Sequence, residues 1–399
     1  MKKTVLIVID ACRHDYLNRG ITPFLDALKK SGEYTEKIIP GNGFCERTEI
    51  FTGKKPSDTG FFTAIDYSKN RRQNTGIAWI LNFLAFVLQL LPFRLVEKIV
   101  RRLLWEYSIR TAHPMHPQKI PLNLIKYFSL TEDYVDMREE GALGCNSIFD
   151  YMRSRRLKFF YDSFTALNLP SRGDDQDRLN LVIDNAKEDF SLYLVYIGSL
   201  DATGHKYGPL SSEINNAIQK TDEQLSNFSK EFSSINPEAE YIFLGDHGMT
   251  DVHSTVDVDR ILKSEMHQYG LKLGTDYIYF LDSTLMRVWI FDIDQKDEIM
   301  RSISENSILK SKGKFVNEDD ATLLEIPINN NSADIIWWAN LGVMISPDFF
   351  HRKVENIKGM HGYFNMHDDS KGFCIDTRAT GMVESDDIIS VYSKIIRSL

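Results

Sequence analysis

Three apolar runs along the chain each lead into an aspartate. Residues 4–9, TVLIVI, stop at Asp10; residues 190–200, FSLYLVYIGSL, stop at Asp201; residues 241–244, YIFL, stop at Gly245 and Asp246. Short runs without polar alternation predict strands buried on both faces. In an open α/β sheet, such strands deliver side chains at their carboxyl ends, where ligands bind. Residues 34–39 predict a further strand. Helical spacing through Phe24, Leu25 and Leu28 predicts a helix ending near Gly32, and CERTEIF, residues 45–51, predicts one that stops at Gly53. Residues 211–232 predict an amphipathic helix in which Asp222 reads as a solvated or capping residue.

Two stretches break this rhythm. Residues 77–91, IAWILNFLAFVLQLL, are almost wholly apolar and end at Pro92. The run falls short of the ~20 residues that a spanning helix needs. Residues 93–110 then set Leu95, Val96, Ile99, Val100, Leu103 and Leu104 at helical spacing, with Arg94, Lys98, Arg101 and Arg102 between them. Two readings stand: packed helices of a cap over an active site, or a basic amphipathic surface lying on an anionic membrane. Residues 111–145, with three prolines, continue the same insertion irregularly. Residues 266–355 hold strand-like runs at 277–281, 287–291 and 335–345, which predict a small β-rich lobe.

Composition narrows the class. The 399 residues are 43% hydrophobic and 12% aromatic, enough for a sizeable core with insertions. A formal net charge of -9 argues against general nucleic-acid binding. It also makes the local basic helix stand out. Cys12, Cys45, Cys145 and Cys374 are widely spaced, which argues against a disulfide framework and for a reducing compartment. The opening MKKTVLIVID has too short an apolar run for a targeting segment. A cytoplasmic chain with membrane association is the expectation.

The candidate chemistry lies at the strand ends. Asp246 and His247 are adjacent and offer a hard oxygen and an imidazole nitrogen to a cation such as zinc. Asp201 and His205 are four residues apart, so one helical turn or a tight loop brings both to one ion. Asp10, taken alone, reads first as a helix N-cap after a βα turn and second as a ligand. His361 lies in a C-terminal loop, with His367 as a second candidate. In the turn at residues 40–62, Cys45 and Arg47 sit near a helix N-terminus, which favours a bound anion and a thiolate. Three aspartates and three histidines suit two divalent ions about 4 Å apart, each with an open position for a phosphate.

With DACRHDYL, TGKKPSDTG, DATGHKYGP, GDHGM and MHGYFN in that order, the sequence resembles the alkaline phosphatase superfamily. It is most similar there to the type I phosphodiesterase/nucleotide pyrophosphatase branch. The resemblance implies a doubly wound α/β fold, a mostly parallel sheet sandwiched by helices, with a helical cap insertion and a small β-rich lobe. It implies one metal held by Asp201, His205 and His361 and another held by Asp10, Asp246 and His247. The ions would be zinc, with manganese as the alternative. It implies in-line displacement at phosphorus, cleaving a phosphodiester or pyrophosphate bond. The substrate would be a phosphorylated small molecule, lipid or glycan, with no nucleic-acid partner and with residues 77–110 as the membrane contact. The implied layout is a core of residues 1–75, 146–265 and 356–399, interrupted by a cap at 76–145 and a lobe at 266–355.

One position departs from the family pattern. Counting back from Thr52, the family's nucleophile falls on Gly43, which has no side chain. The arginine that sulfatases carry after their nucleophile is matched by Arg47, and the asparagine of nucleotide pyrophosphatases is replaced by Glu46. Cys45, Thr48 and a metal-bound hydroxide are the substitutes, in that order. Transfer of a phospho-group to or from a lipid or glycan is the rival enzymatic reading, and a non-catalytic phospholigand-binding protein is the rival outside catalysis.

Overall fold

The computed structural model describes residues 2–67, 94–110, 120–132, 135–161, 173–291, 294–329, 331–351 and 357–399. The chain forms two compact units. One comprises Met1–Thr59, Val135–Val252 and Asn356–Leu399; the other comprises Gly60–Tyr134 and His253–Glu355.

The first unit is built on a seven-stranded sheet. Its strands are β1 (Thr4–Ile9), β2 (Glu33–Ile39), β3 (Phe159–Phe160), β4 (Leu192–Ile197), β5 (Glu240–Gly245), β6 (Gly372–Asp376) and β7 (Gly381–Asp387), in spatial order β7-β2-β6-β5-β1-β4-β3. β6 alone runs antiparallel to its neighbours. β1 lies between β4 and β5 and is parallel to both, so all six of its side chains are buried. That double burial explains its unbroken apolar run. Val5, Ile7 and Ile9 face a core with Leu25 of helix α1 (Pro23–Ser31), Leu179 and Val182 of α3 (Asp175–Asp184) and Phe228 and Phe232 of α5 (Ser212–Ile235). Each such side chain contributes about 1.5–3 kcal/mol of burial, offset by the entropy of ordering it.

Register places the site. Ile9 stands opposite Ile197 on one side and Gly245 on the other. The carboxyl ends of β1, β4 and β5 are therefore level, and the residues that follow them converge.

Two local expectations sharpen. The run at 190–200 is a strand only over Leu192–Ile197; helix α4 (Ser199–Tyr207) begins at once, so Asp201 sits in a helix's first turn. Of the two readings of Asp222, solvated or capping, capping holds, and the residue is buried. It accepts from the backbone N–H of Phe24 at 3.0 Å and of Leu25 at 2.9 Å, capping α1 from a neighbouring helix.

The second unit holds a four-stranded antiparallel sheet of Tyr277–Leu281, Leu285–Ile290, Ile335–Ala339 and Gly313–Phe315. The run at 335–345 turns at 340–342, and its second half, Val343–Ile345, pairs with Ser254–Val256. Ile65–Tyr67 pairs with Phe128–Leu130. The buried Arg287 guanidinium donates to Asp66 Oδ1 at 2.5 Å and to the Ile65 carbonyl at 2.6 Å. These bonds tie the flanks of the first insertion to the lobe, so the two expected insertions share one unit. Arg94–Arg110 is a helix, with Ile99 and Leu103 exposed beside Lys98 and Arg102. The apolar run at 77–91 lies outside the described residues. Among the described residues no helix is long and apolar enough to cross a membrane.

Candidate metal centre

Each of the three level strand ends contributes candidate ligands. Asp10 follows β1, Asp246 and His247 follow β5, and α4 carries Asp201 and His205 one turn apart. His361 follows a short strand, Gly359–Met360, that pairs with Thr250–Asp251 just past His247. Two groups result: Asp201, His205 and His361, and Asp10, Asp246 and His247. Within each, the ligating atoms all lie within 4.8 Å of one another. The groups adjoin, because the His247 and His361 rings stack with centroids 4.3 Å apart.

Hydrogen bonds outside the groups aim the ligands. His205 Nδ1 donates to the Gly359 carbonyl at 2.9 Å, and His247 Nδ1 donates to the Gly248 carbonyl at 2.9 Å. Both rings are thereby fixed with Nε2 turned inward, as metal-ligating histidines require. His205 Nε2 is 3.1 Å from Asp201 Oδ1, and His247 Nε2 is 3.1 Å from Asp10 Oδ1. Asp246 Oδ1 accepts from the N–H groups of His247 at 2.9 Å and Ala11 at 3.2 Å. Ala11 adopts a φ of 55°, a left-handed conformation that costs an alanine energy and turns its N–H toward Asp246. Gly248 is required by proximity: a Cβ there would stand 1.9 Å from the Asp369 carbonyl oxygen.

The electrostatics are those of crowded, buried carboxylates. Burial, then the neighbouring Asp201 carboxylate, holds Asp10 above the usual carboxylate range. Burial pushes Asp246 up to about 8, with Asp10 and Glu46 adding to the effect against the pull of His247. Burial acts to lower His247, but Asp246 and Asp10 outweigh it and hold the ring well above its ordinary value. Burial also acts to raise Asp201, yet His205 and His361 hold it below the usual range. Oxygen and imidazole donors so arranged fit a divalent, zinc-like ion in each group.

Four residues outside the ligand groups support them. The Tyr196 hydroxyl, inside β4, donates to Asp10 Oδ2. Asp175 accepts from the N–H groups of Gly198 at 2.9 Å and Ser199 at 3.0 Å, fixing the start of α4. Arg13 donates to the Met249 carbonyl at 2.9 Å and pairs with Asp15 and Asp369. The buried Glu49 accepts from the Gly41 N–H at 3.0 Å and anchors the turn after β2. Sequence reading had no signal for Tyr196 or Glu49, which sit within runs explained by strand and helix packing.

That turn leads into helix α2 (Glu46–Thr52). Cys45 is its N-cap, 3% exposed, and Thr48 is fully buried inside it. A cavity of about 10 Å³ beside the turn is lined by Gly43 and Glu46 together with His247, Thr250 and His361. Cys45, Thr48 and Arg47 are not among its lining residues. A larger cavity of about 390 Å³ is lined by Asp10 and Asp201, with Tyr196, Arg178, Lys220 and Gln224 also in its walls. His367 joins neither ligand group; it precedes a short turn at Asp368–Ser370.

Comparison with known proteins agrees with this architecture. The type I phosphodiesterase/nucleotide pyrophosphatase family model matches residues 4–364. Mouse ectonucleotide pyrophosphatase/phosphodiesterase family member 7 is 35% identical over 69 residues, 17% of this chain and 16% of that protein. A venom phosphodiesterase of Crotalus durissus collilineatus is 39% identical over 62 residues, 15% of this chain and 8% of its own length. These matches span less than a fifth of either relative. Among solved structures, murine ectonucleotide pyrophosphatase/phosphodiesterase 5, an inactive variant in complex with AMP, superposes with a TM-score of 0.71 at 15% identity. It covers 100% of this chain and 95% of its own. The human protein gives 0.71 at 15% identity, over 99% and 94%.

Proposed function

The chain belongs to the type I phosphodiesterase/nucleotide pyrophosphatase family, and on that premise we propose that it is a metal-dependent hydrolase of phosphodiester or pyrophosphate bonds in phosphorylated small molecules such as nucleotides. The observation that carries this reading is the pair of Asp/His groups, each with its ligating atoms within 4.8 Å. Asp201, His205 and His361 would hold one ion, and Asp10, Asp246 and His247 the other. Bound there, zinc or manganese would polarise a phosphoryl oxygen and make a nucleophile available at neutral pH. The chain's own part is to aim six donors through the bonds of His205, His247, Asp246 and Asp10. The larger cavity, about 390 Å³ and lined by Asp10 and Asp201, leaves room for part of a phosphorylated substrate beside the groups.

A lipid- or glycan-linked substrate is a second reading. It is favoured by the exposed Ile99 and Leu103, which stand beside Lys98 and Arg102 on one helix and suit an anionic membrane surface. Incubation of the purified protein with a bis-aryl phosphodiester, a phosphomonoester and a sulfate ester, each with zinc or manganese, tests the assignment. The diester should be cleaved fastest. Activity on none of the three with either metal, followed by the same result with nucleotide and lipid diesters, rejects the hydrolase reading.

A further inference from the structure

The cavity of about 390 Å³ touches both ligand groups, because Asp10 belongs to one and Asp201 to the other. Its remaining walls are largely polar and come from α3, α4 and α5. Arg178 comes from α3 and Ser199 from the first turn of α4, while Lys220 and Gln224 stand one turn apart on α5. The volume is that of an ordinary small-molecule site.

The acids around the cavity are engaged. Asp175 accepts from the N–H groups of Gly198 and Ser199 and from Arg178 Nη1 at 3.1 Å, so its charge is met within the wall. Asp174 accepts from the Asp177 N–H at 3.0 Å and caps α3. Asp10 and Asp201 belong to the ligand groups, where divalent ions would offset them. The cations are less engaged. Arg178 is 7% exposed, and its Nε is buried without a hydrogen-bond partner. Nη1 is taken by Asp175, and Nη2 makes no hydrogen bond among the described residues. A buried guanidinium with a donor to spare suits a phosphate oxygen. Lys220 is exposed and forms no ion pair among the described residues. Arg178 also lies over Tyr196, with Cζ 5.6 Å from the ring centroid, and the Tyr196 hydroxyl donates to Asp10 Oδ2. The spare donor of Arg178 therefore stands one aromatic ring away from the ligand group of Asp10.

We propose that this cavity is a second phosphate subsite, in which Arg178 and Lys220 hold a further phosphate carried on an arm of the substrate while the scissile one lies at the ligand groups. Ser199 and Gln224 supply neutral hydrogen-bonding groups beside it. Arg178 and Lys220 are then specificity-determining residues that favour diesters bearing a second, terminal phosphate. This inference rests on the hydrolase reading above and narrows its substrate class.

The test is equilibrium binding by calorimetry. Zinc-loaded protein, freed of excess metal, is titrated with butanediol monophosphate, butanediol bisphosphate and inorganic phosphate. The bisphosphate should bind about tenfold or more tighter than the monophosphate, as expected for added hydrogen bonds to a charged group. Lys220→Met and Arg178→Lys should each remove most of that advantage. Arg178→Lys keeps a cation beside Asp175 but loses the planar fork. Lys220 is exposed on α5, so Lys220→Met decides alone if Arg178→Lys fails to fold. No advantage in wild type, or an equal advantage in the variants, overturns the proposal. A wild type that binds two inorganic phosphates, one of them lost in Lys220→Met, without favouring the bisphosphate assigns the cavity to a free anion and also overturns it. Binding is read without turnover, so the two readings separate. A protein that cleaves the bis-aryl diester but shows no bisphosphate advantage loses the subsite alone, whereas a metal-loaded wild type that cleaves no diester loses the hydrolase reading whatever the cavity binds.

Discussion

The hydroxyl of Tyr196 donates to Oδ2 of Asp10, the oxygen turned away from His247, whose Nε2 lies 3.1 Å from Asp10 Oδ1. The bond fixes which oxygen faces the ligand group. Outer hydrogen bonds of this kind are worth about 10–100-fold in metal affinity. Tyr196→Phe should therefore weaken one of the two metal sites by about that factor and leave the other intact. Competition against a chromogenic chelator measures it; two unchanged affinities would show that Asp10 is held without Tyr196.

The metal-free protein should lose stability as pH rises. Asp10 and Asp246 lie above the ordinary carboxylate range, Asp246 at about 8. Their protonated forms stabilise the fold most fully below about pH 4, and that contribution is lost as pH rises through the folded values. His205 and His247 are also raised, so their contribution is present below about 6.5 and is lost in the same direction. Asp201 is lowered and acts only at more acidic pH. Thermal unfolding in chelator should show a falling Tm from pH 5 to pH 8, in steps of about one unit, and the stabilisation given by added zinc should grow over the same interval. Parallel profiles with and without metal would contradict the buried-carboxylate account.

Five of the six candidate ligands were legible in the sequence because they follow apolar strand runs or, for His205, sit one helical turn from such a residue; His361, a loop histidine, was legible only through the ensemble of motifs. The level register of β1, β4 and β5 makes those positions converge. The supporting residues were not. Tyr196 is one aromatic among the apolar residues of β4, and nothing local reports that its hydroxyl meets Asp10. Asp222 reads as solvated or capping because its partners, the Phe24 and Leu25 N–H groups, are distant in sequence. Cys45 reads as the first substitute for the missing nucleophile, but the cavity beside the ligand groups is lined by Glu46 and not by Cys45. The union of the two insertions depends on Arg287 reaching Ile65 and Asp66, a pairing without periodicity.

Phosphodiesters should be preferred over sulfate esters, since the family match is to phosphodiesterases, and over phosphomonoesters on charge. A diester brings one negative charge to the cavity that Glu46 lines, whereas a monoester at neutral pH brings nearly two, and like charges at close range repel. Comparison of kcat/KM for matched aryl esters should give the diester an advantage of roughly tenfold or more, equivalent to ~1.4 kcal/mol of barrier. A sulfatase rate above the diesterase rate would reverse the assignment.

Membrane contact through the Arg94–Arg110 helix predicts sedimentation with anionic vesicles and not with neutral ones. Lys98→Glu combined with Arg102→Glu should lower partitioning by roughly tenfold or more, since each basic residue contributes about 1 kcal/mol near such a surface. Equal binding by wild type and variant, or binding by neither, would leave the helix as part of its own unit only.

The most direct measurement is the rate of bis-aryl phosphodiester hydrolysis by chelator-stripped protein as zinc is added in known equivalents. Two ligand groups predict negligible turnover without metal and a rate that rises to a plateau at two ions per chain, with Asp246→Asn and His205→Ala each binding one ion fewer. A rate that does not depend on added metal, or a fully loaded protein that hydrolyses no diester, would contradict the account.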